Sequence, residues 1–151
     1  MNAHLADKPL FSLAVDLGAP IVIGEVGGVT RRCIPFLGGT VTGDLEGKVL
    51  AGGTDWQSIW PDGTIEIEAR YTLELKQGLV EVRSEGLRSG PPAVLERLAR
   101  GEPVAAHEYY FRTAMRFFTA SRTLSHLNAL LALAIGERQA NQARLTVYPV
   151  L

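Results

Sequence analysis

The chain has 151 residues, 46% of them hydrophobic and 21% charged, with a formal net charge of −1. That length and balance fit one globular domain, expected over residues 1–151, and not a disordered chain. The near-neutral charge argues against nucleic acid or an anionic membrane as partner, and a lone cysteine, Cys33, rules out an intramolecular disulfide and a paired-cysteine zinc site.

The segment from Met1 to Pro9 lacks the basic-then-apolar order of a signal peptide. The longest apolar run, from Ala129 to Ile135, falls far short of the roughly 20 residues a membrane helix needs. The expected location is the cytoplasm. Glycine then punctuates the first third of the chain. Leu10 to Leu17, Ile21 to Val26 and Val29 to Leu37 read as strands, ended by turn formers at Gly27-Gly28 and Gly38-Gly39. Thr40 to Thr42 and Leu45 to Ala51 follow as shorter pieces. Such short, turn-bounded runs favour an all-β sandwich or barrel.

Thr64 to Lys76 is the clearest element. Ile65, Ile67, Ala69, Tyr71, Leu73 and Leu75 alternate with charged and polar residues, the period-two signature of a strand with one face buried. Leu79 to Arg88 alternates again after Gln77-Gly78, which predicts a long hairpin. Pro91 to Arg100 is the one expected helix, opened by Pro91-Pro92 and stopped by Gly101. Tyr109 to Ala120 reads as a strand, and so does Ala143 to Leu151. Between them, Leu124 to Gln139 looks helical by propensity alone.

Two segments carry candidate chemistry. Gly52-Gly53-Thr54-Asp55-Trp56-Gln57 places a carboxylate, an indole and an amide directly after two glycines. The cluster could set an aromatic wall beside an acid, or form a β-bulge with Trp56 in the core and Asp55 capping the turn. In Tyr109-Tyr110-Phe111-Arg112, Tyr110 and Arg112 share one strand face, where a phenol and a guanidinium could hold an oxyanion. An outward pair is the plainer alternative. Arg70 lies on the polar face of its strand with Glu66 and Glu68, the usual place for solvated charge, although a ligand-binding barrel can have a partly polar lumen. His4, His107 and His126 show no metal-ligand spacing, so neither a metal nor a cofactor is expected.

The glycine-framed pieces taken together resemble uncharacterised protein family 0311, also named domain of unknown function 3237. The residues that carry the resemblance run in order along nearly the whole chain. They include Arg31 with Ile34-Pro35, Gly38-Gly39, Leu45-Glu46-Gly47, Gly52-Gly53-Thr54-Asp55-Trp56-Gln57, Ala69-Arg70-Tyr71, Tyr110-Phe111-Arg112-Thr113, Leu127-Asn128 and Val147-Tyr148. His126 departs from the pattern, which has an aromatic before Leu-Asn. The resemblance implies an all-β fold, an antiparallel calycin-like or lipocalin-like barrel with one short helix at about 91–100. It also implies that Asn128 to Arg138 is a strand, joined to the last one by a hairpin around Ala140-Asn141-Gln142.

The expected function is therefore small-molecule binding. Asp55, Arg70, Tyr110 and Arg112 are the catalytic candidates, lining one pocket; Trp56, Gln57, Arg31 and Asn128 are the ligand-binding candidates. As an enzyme the barrel would act without a cofactor, as a cyclase, lyase or hydrolase on an aromatic or carbonyl compound. Asp55 would be the acid or base if burial raises its pKa, with the arginines steadying oxyanion charge. The alternatives are a non-catalytic carrier barrel and a structural interaction domain without a connected pocket. Exposed strand edges make a homodimer a candidate assembly.

Overall fold

The computed structural model describes residues 1–151 as one antiparallel sheet closed on itself. Its strands are β1 (Phe11–Leu17), β2 (Ile21–Val26), β3 (Val29–Thr42), β4 (Gly47–Val49), β5 (Thr54–Ile59), β6 (Ile65–Leu75), β7 (Gly78–Ser89), β8 (Tyr110–Thr119), β9 (Ala132–Arg138) and β10 (Gln142–Pro149). The order β1-β10-β9-β8-β7-β6 runs on through β4 and β5, which share one position between β6 and β3. Pairing of β3 with β1 closes an eight-stranded barrel, and β2 hangs outside it as a hairpin partner of β3.

One helix, α1 (Pro92–Ala99), joins β7 to β8 and turns Leu95 and Leu98 into the core. It is short and polar enough that no helix here could cross a membrane. The run that looks helical by propensity, Leu124 to Gln139, resolves instead into a 3-10 turn at Ser125–Ala129 and strand β9, which starts at Ala132 and not at Asn128 as the resemblance implied. The strand buries only Ala132, Ala134 and Gly136 and exposes Leu133 and Ile135. Pairing on both sides, to β8 and β10, overrides the propensity of the Ala/Leu run.

Gly38-Gly39, read from sequence as a strand end, lies inside β3. Gly39 sits at φ +153°, and a Cβ there would stand 2.1 Å from the Ala14 carbonyl oxygen. The glycine lets β3 bend tightly against β1, so it closes the barrel where it was expected to end a strand.

The inward side chains of the strands form one core. At one end Phe11, Leu73, Val80, Phe117, Leu127 and Val147 are fully buried, with the Phe11 and Phe117 rings packed edge to face at 5.8 Å. Toward the other end Ala69, Ser84 and Ala143 stand among larger inward residues such as Ile34, Ile65 and Phe111. The barrel is a cup, plugged at one end.

Candidate functional site

The open end of the lumen holds a narrow cavity, about 40 Å³ of enclosed space apart from what is open to solvent. Its walls are largely apolar, from Val15, Leu17, Ile34, Phe36, Ile65, Ile67, Phe111 and Leu145. Into this lining project Asp55, Gln57, Tyr71, Ser84, Arg88, Thr113 and Arg138. A ligand pocket typically combines such an apolar wall with a few convergent polar groups.

Strand alternation decides which side chains enter. On β5, Asp55 and Gln57 point inward while Trp56 points out and is 44% exposed. Facing them across the β3–β5 pairing, Arg32 is the partner of Gln57. The Arg32 Nε donates to Gln57 Oε1 at 2.8 Å, and Gln57 Nε2 donates to Asp55 Oδ2 at 2.6 Å. Asp55 is thereby tied to an arginine through an amide, not by a direct ion pair. Gly53, two residues earlier, is buried with a virtual Cβ only 2.5 Å from Tyr71 Cβ. Its lack of a side chain seats Tyr71 against the start of β5.

Four buried side-chain atoms in the protein have no hydrogen-bond partner: Asp55 Oδ1, Tyr71 Oη, Arg88 Nε and Thr113 Oγ1. All four belong to residues that line this one cavity. Buried polar groups are ordinarily paired, and each unpaired one costs about 1–3 kcal/mol, more when charged. Four such groups on residues that line one lumen make it the candidate site of the protein.

Burial pushes the Asp55 carboxyl up from 3.8 to about 6, against the Gln57 hydrogen bond, the backbone N–H of Glu68 and the charges of Arg32 and Arg88, which pull it down. Burial likewise lowers Arg88 to about 10, with Arg138 and Arg32 adding like-charge repulsion. The buried Tyr71 phenol is pushed up, first by burial and then by Asp55. Arg138 reaches the carbonyls of Gln139 and Ala140 in the β9–β10 turn, while the backbone N–H of Arg138 donates to Tyr109 Oη at 2.8 Å.

The sequence-derived pocket needs correcting. Asp55 and Gln57 face the lumen, but Arg70, Tyr110 and Arg112 do not share it. Arg70 is exposed on the outer face of β6 beside Arg83 of β7, as its polar neighbours Glu66 and Glu68 suggested. Tyr110 is 50% exposed, and Arg112 lies over its ring at 5.1 Å while donating to the Phe111 carbonyl at 2.9 Å. Trp56 forms no wall beside Asp55, because adjacent strand residues point to opposite faces; the burial of Asp55 comes from the lumen. Neither the aromatic-wall nor the bulge reading of this segment holds, since β5 pairs regularly with β3 and β6.

Arg31 is also outside, donating to Ser58 Oγ at 2.6 Å. Its neighbour Arg32 is the arginine that looks inward. Asn128 is exposed and serves the backbone: Oδ1 accepts from Thr119 N–H at 2.8 Å and Nδ2 donates to the Thr119 carbonyl at 2.9 Å. Sequence reasoning missed Arg32, Tyr71, Arg88, Thr113 and Arg138. A signal was present for two of them, since Arg88 continues the inward row Val80, Val82, Ser84, Gly86, and Tyr71 the row Ile65, Ile67, Ala69.

Residues 6–150 match the family described as protein of unknown function (DUF3237). The chain belongs to that family. Among its relatives, a UPF0311 protein of Bradyrhizobium diazoefficiens is 38% identical over 152 residues, covering 100% of both chains. The crystal structure of a conserved protein of unknown function from Rhodopseudomonas palustris superposes with a TM-score of 0.94 at 39% identity, over 98% of this chain and 99% of that one. A crystal structure of an enzyme from Penicillium herquei shares the fold, with a TM-score of 0.66 at 18% identity over 97% of this chain and 93% of that one. Membership in the DUF3237 family thus agrees with the resemblance carried by the Gly-Gly-Thr-Asp-Trp and Tyr-Phe-Arg pieces, and with the barrel that resemblance implied.

Proposed function

We propose that this DUF3237 barrel takes a small organic molecule into its lumen and acts on it as a cofactor-independent enzyme, with Asp55 moving a proton. The observation that carries the reading is the set of four unpartnered buried polar atoms around one apolar cavity. One of them is a carboxylate oxygen whose group titrates at about 6. A carboxyl poised near the working pH can take a proton from a carbon or oxygen acid and return it. The Tyr71 and Thr113 hydroxyls and the Arg88 guanidinium are donors available to charge that develops on a substrate oxygen. That set suits proton transfer, elimination or ring closure on an aromatic or carbonyl compound. The Penicillium herquei enzyme lends support at the level of fold alone.

A substrate-independent probe tests this. Nitrobenzisoxazole opens when a base removes its single ring C–H proton: the C–H electrons form the nitrile, the N–O bond breaks, and a coloured cyanonitrophenolate leaves. In the lumen Asp55 accepts that proton and gives it to water. The expected rate rises with pH through about 6 and then levels, and Asp55→Asn abolishes it while the probe still binds. Binding without turnover in the wild type would support the carrier barrel in place of the enzyme. No binding at all would remove the ligand reading of the lumen.

A further inference from the structure

Taking the lumen as the ligand site, we infer that the molecule it selects is an organic oxyanion, a carboxylate or phenolate on a compact apolar body, with Arg88 as the anchor for its charge. Arg88 is 7% exposed and stands at the inner end of β7. The protein has four ion pairs, and Arg88 is in none of them. Its guanidinium donates no hydrogen bond to any protein group, and its Nε is fully enclosed. A guanidinium keeps its charge under almost any conditions, so burial does not neutralise it as it would a lysine. A buried cation is tolerated where an anion meets it.

The protein's own anion does not fill that role. Asp55 is the one acidic side chain lining the cavity, and its Oδ2 is held by Gln57, which in turn is held by Arg32. Arg32 and Arg138 both lie close enough to Arg88 to repel it. Three guanidiniums therefore lie around one carboxyl group. The surplus is positive, and it sits at the edge of an apolar chamber. An inorganic anion would meet the charge and waste the walls; an aromatic amide would meet the walls and leave the charge. A planar guanidinium matches a carboxylate in shape as well.

Benzoate and benzamide, equal in shape and different in charge, separate these terms. Backbone amide shifts of lumen residues are followed by NMR as each is titrated into the wild-type protein. Benzoate is expected to bind at least about tenfold more tightly than benzamide, and Arg88→Gln to erase that preference, with benzoate losing far more affinity than benzamide. Arg88→Lys, which keeps charge and loses the fork, should restore part of the preference and guards against a misfolded Gln variant. Benzamide binding as well as benzoate would overturn the anion assignment and leave the lumen a ligand site. Inorganic phosphate perturbing the same residues as strongly as benzoate would overturn it too, because the apolar walls would then be idle. If neither aromatic compound shifts any lumen residue, the reading of the lumen fails and the assignment fails with it.

Discussion

Replacing Asp55 by Asn should make the protein more stable at neutral pH, and the size of the gain follows from the site. The folded-state pKa of Asp55 is about 6, against 3.8 for an exposed aspartate. Between those values the folded protein holds a proton that the unfolded chain has released, so stability falls as pH rises through that window and stays low above it. The gap of about 2.2 pH units, at 1.36 kcal/mol each, corresponds to about 3 kcal/mol. Asn is close to the protonated carboxyl in shape and does not titrate, so the variant escapes this loss. For a chain of this length about 3 kcal/mol corresponds to roughly 6–12 °C in melting temperature. The assay is a thermal melt of both proteins from about pH 4 to about pH 8, read as the difference in melting temperature at each pH. That difference isolates Asp55 from every other titrating group. It should be flat below about pH 4, grow in favour of the variant between about pH 4 and about pH 6, and then level. A difference independent of pH, or one that turns against Asn as pH rises, would refute the argument; it would mean that Arg32 and Arg88 stabilise the charge more than burial penalises it.

The same proton links to the ligand. An oxyanion beside Asp55 favours the protonated carboxyl, so benzoate affinity should fall by up to about tenfold per pH unit above about pH 6. The groups around Asp55 that set this are Gln57, Arg32, Tyr71, Arg88 and Arg138; the arginines stay charged throughout, and the Tyr71 phenol stays neutral. Calorimetric titration across that range checks it, and a flat profile in the wild type would count against it. On the outer wall, Arg70→Ala, Tyr110→Ala and Arg112→Ala should each leave benzoate affinity and nitrobenzisoxazole turnover within about twofold, whereas Arg32→Ala should free Gln57 and lower both. Gly39→Ala should cost more than about 3 kcal/mol or prevent folding, because its Cβ would strike the Ala14 carbonyl at the barrel seam; chemical denaturation measures it.

The alternation of β6 and β7 and the helix at α1 were legible in the sequence because each has a local cause: period-two burial, or proline before and glycine after. Strand β9 was not legible from local propensity and was reached only through the family resemblance, since its cause is pairing with β8 and β10, which no local window contains. The candidate site divides in the same way. Asp55 and Gln57 drew notice through unusual neighbours. Arg70, Tyr110 and Arg112 drew notice by lying together, yet charged groups that cluster along one face of a strand are the ones that water already serves. The informative residues broke a pattern instead. Arg88 ends an apolar row, and Tyr71 puts a hydroxyl in one. Arg31 and Arg32 show how narrow the margin is, because a step of one residue exchanges the lumen for the outer wall.

Gly53 explains why the Gly-Gly-Thr-Asp-Trp piece behaves as a unit. It leads into the strand two positions before Asp55, and three groups crowd the place where its side chain would be. A Cβ would stand 2.5 Å from Tyr71 Cβ, 3.0 Å from the Arg70 carbonyl and 3.1 Å from Phe36 Cδ2. None of these is the loose end of a flexible chain. The Phe36 and Tyr71 rings also pack edge to face at 5.2 Å, so a displacement of one is passed to the other. Gly53→Ala should therefore cost about 1–3 kcal/mol by overpacking and move Tyr71 relative to Asp55. Because Tyr71 and Asp55 share the cavity, the second effect has its own readout: the Asp55 carboxyl carbon, followed by NMR against pH, should titrate away from about 6. A variant that loses stability with the Asp55 titration unchanged would show Gly53 to be packing alone. A variant that keeps full stability would mean that β5 can draw back from Tyr71, and that the glycine is not what seats the acid in the lumen.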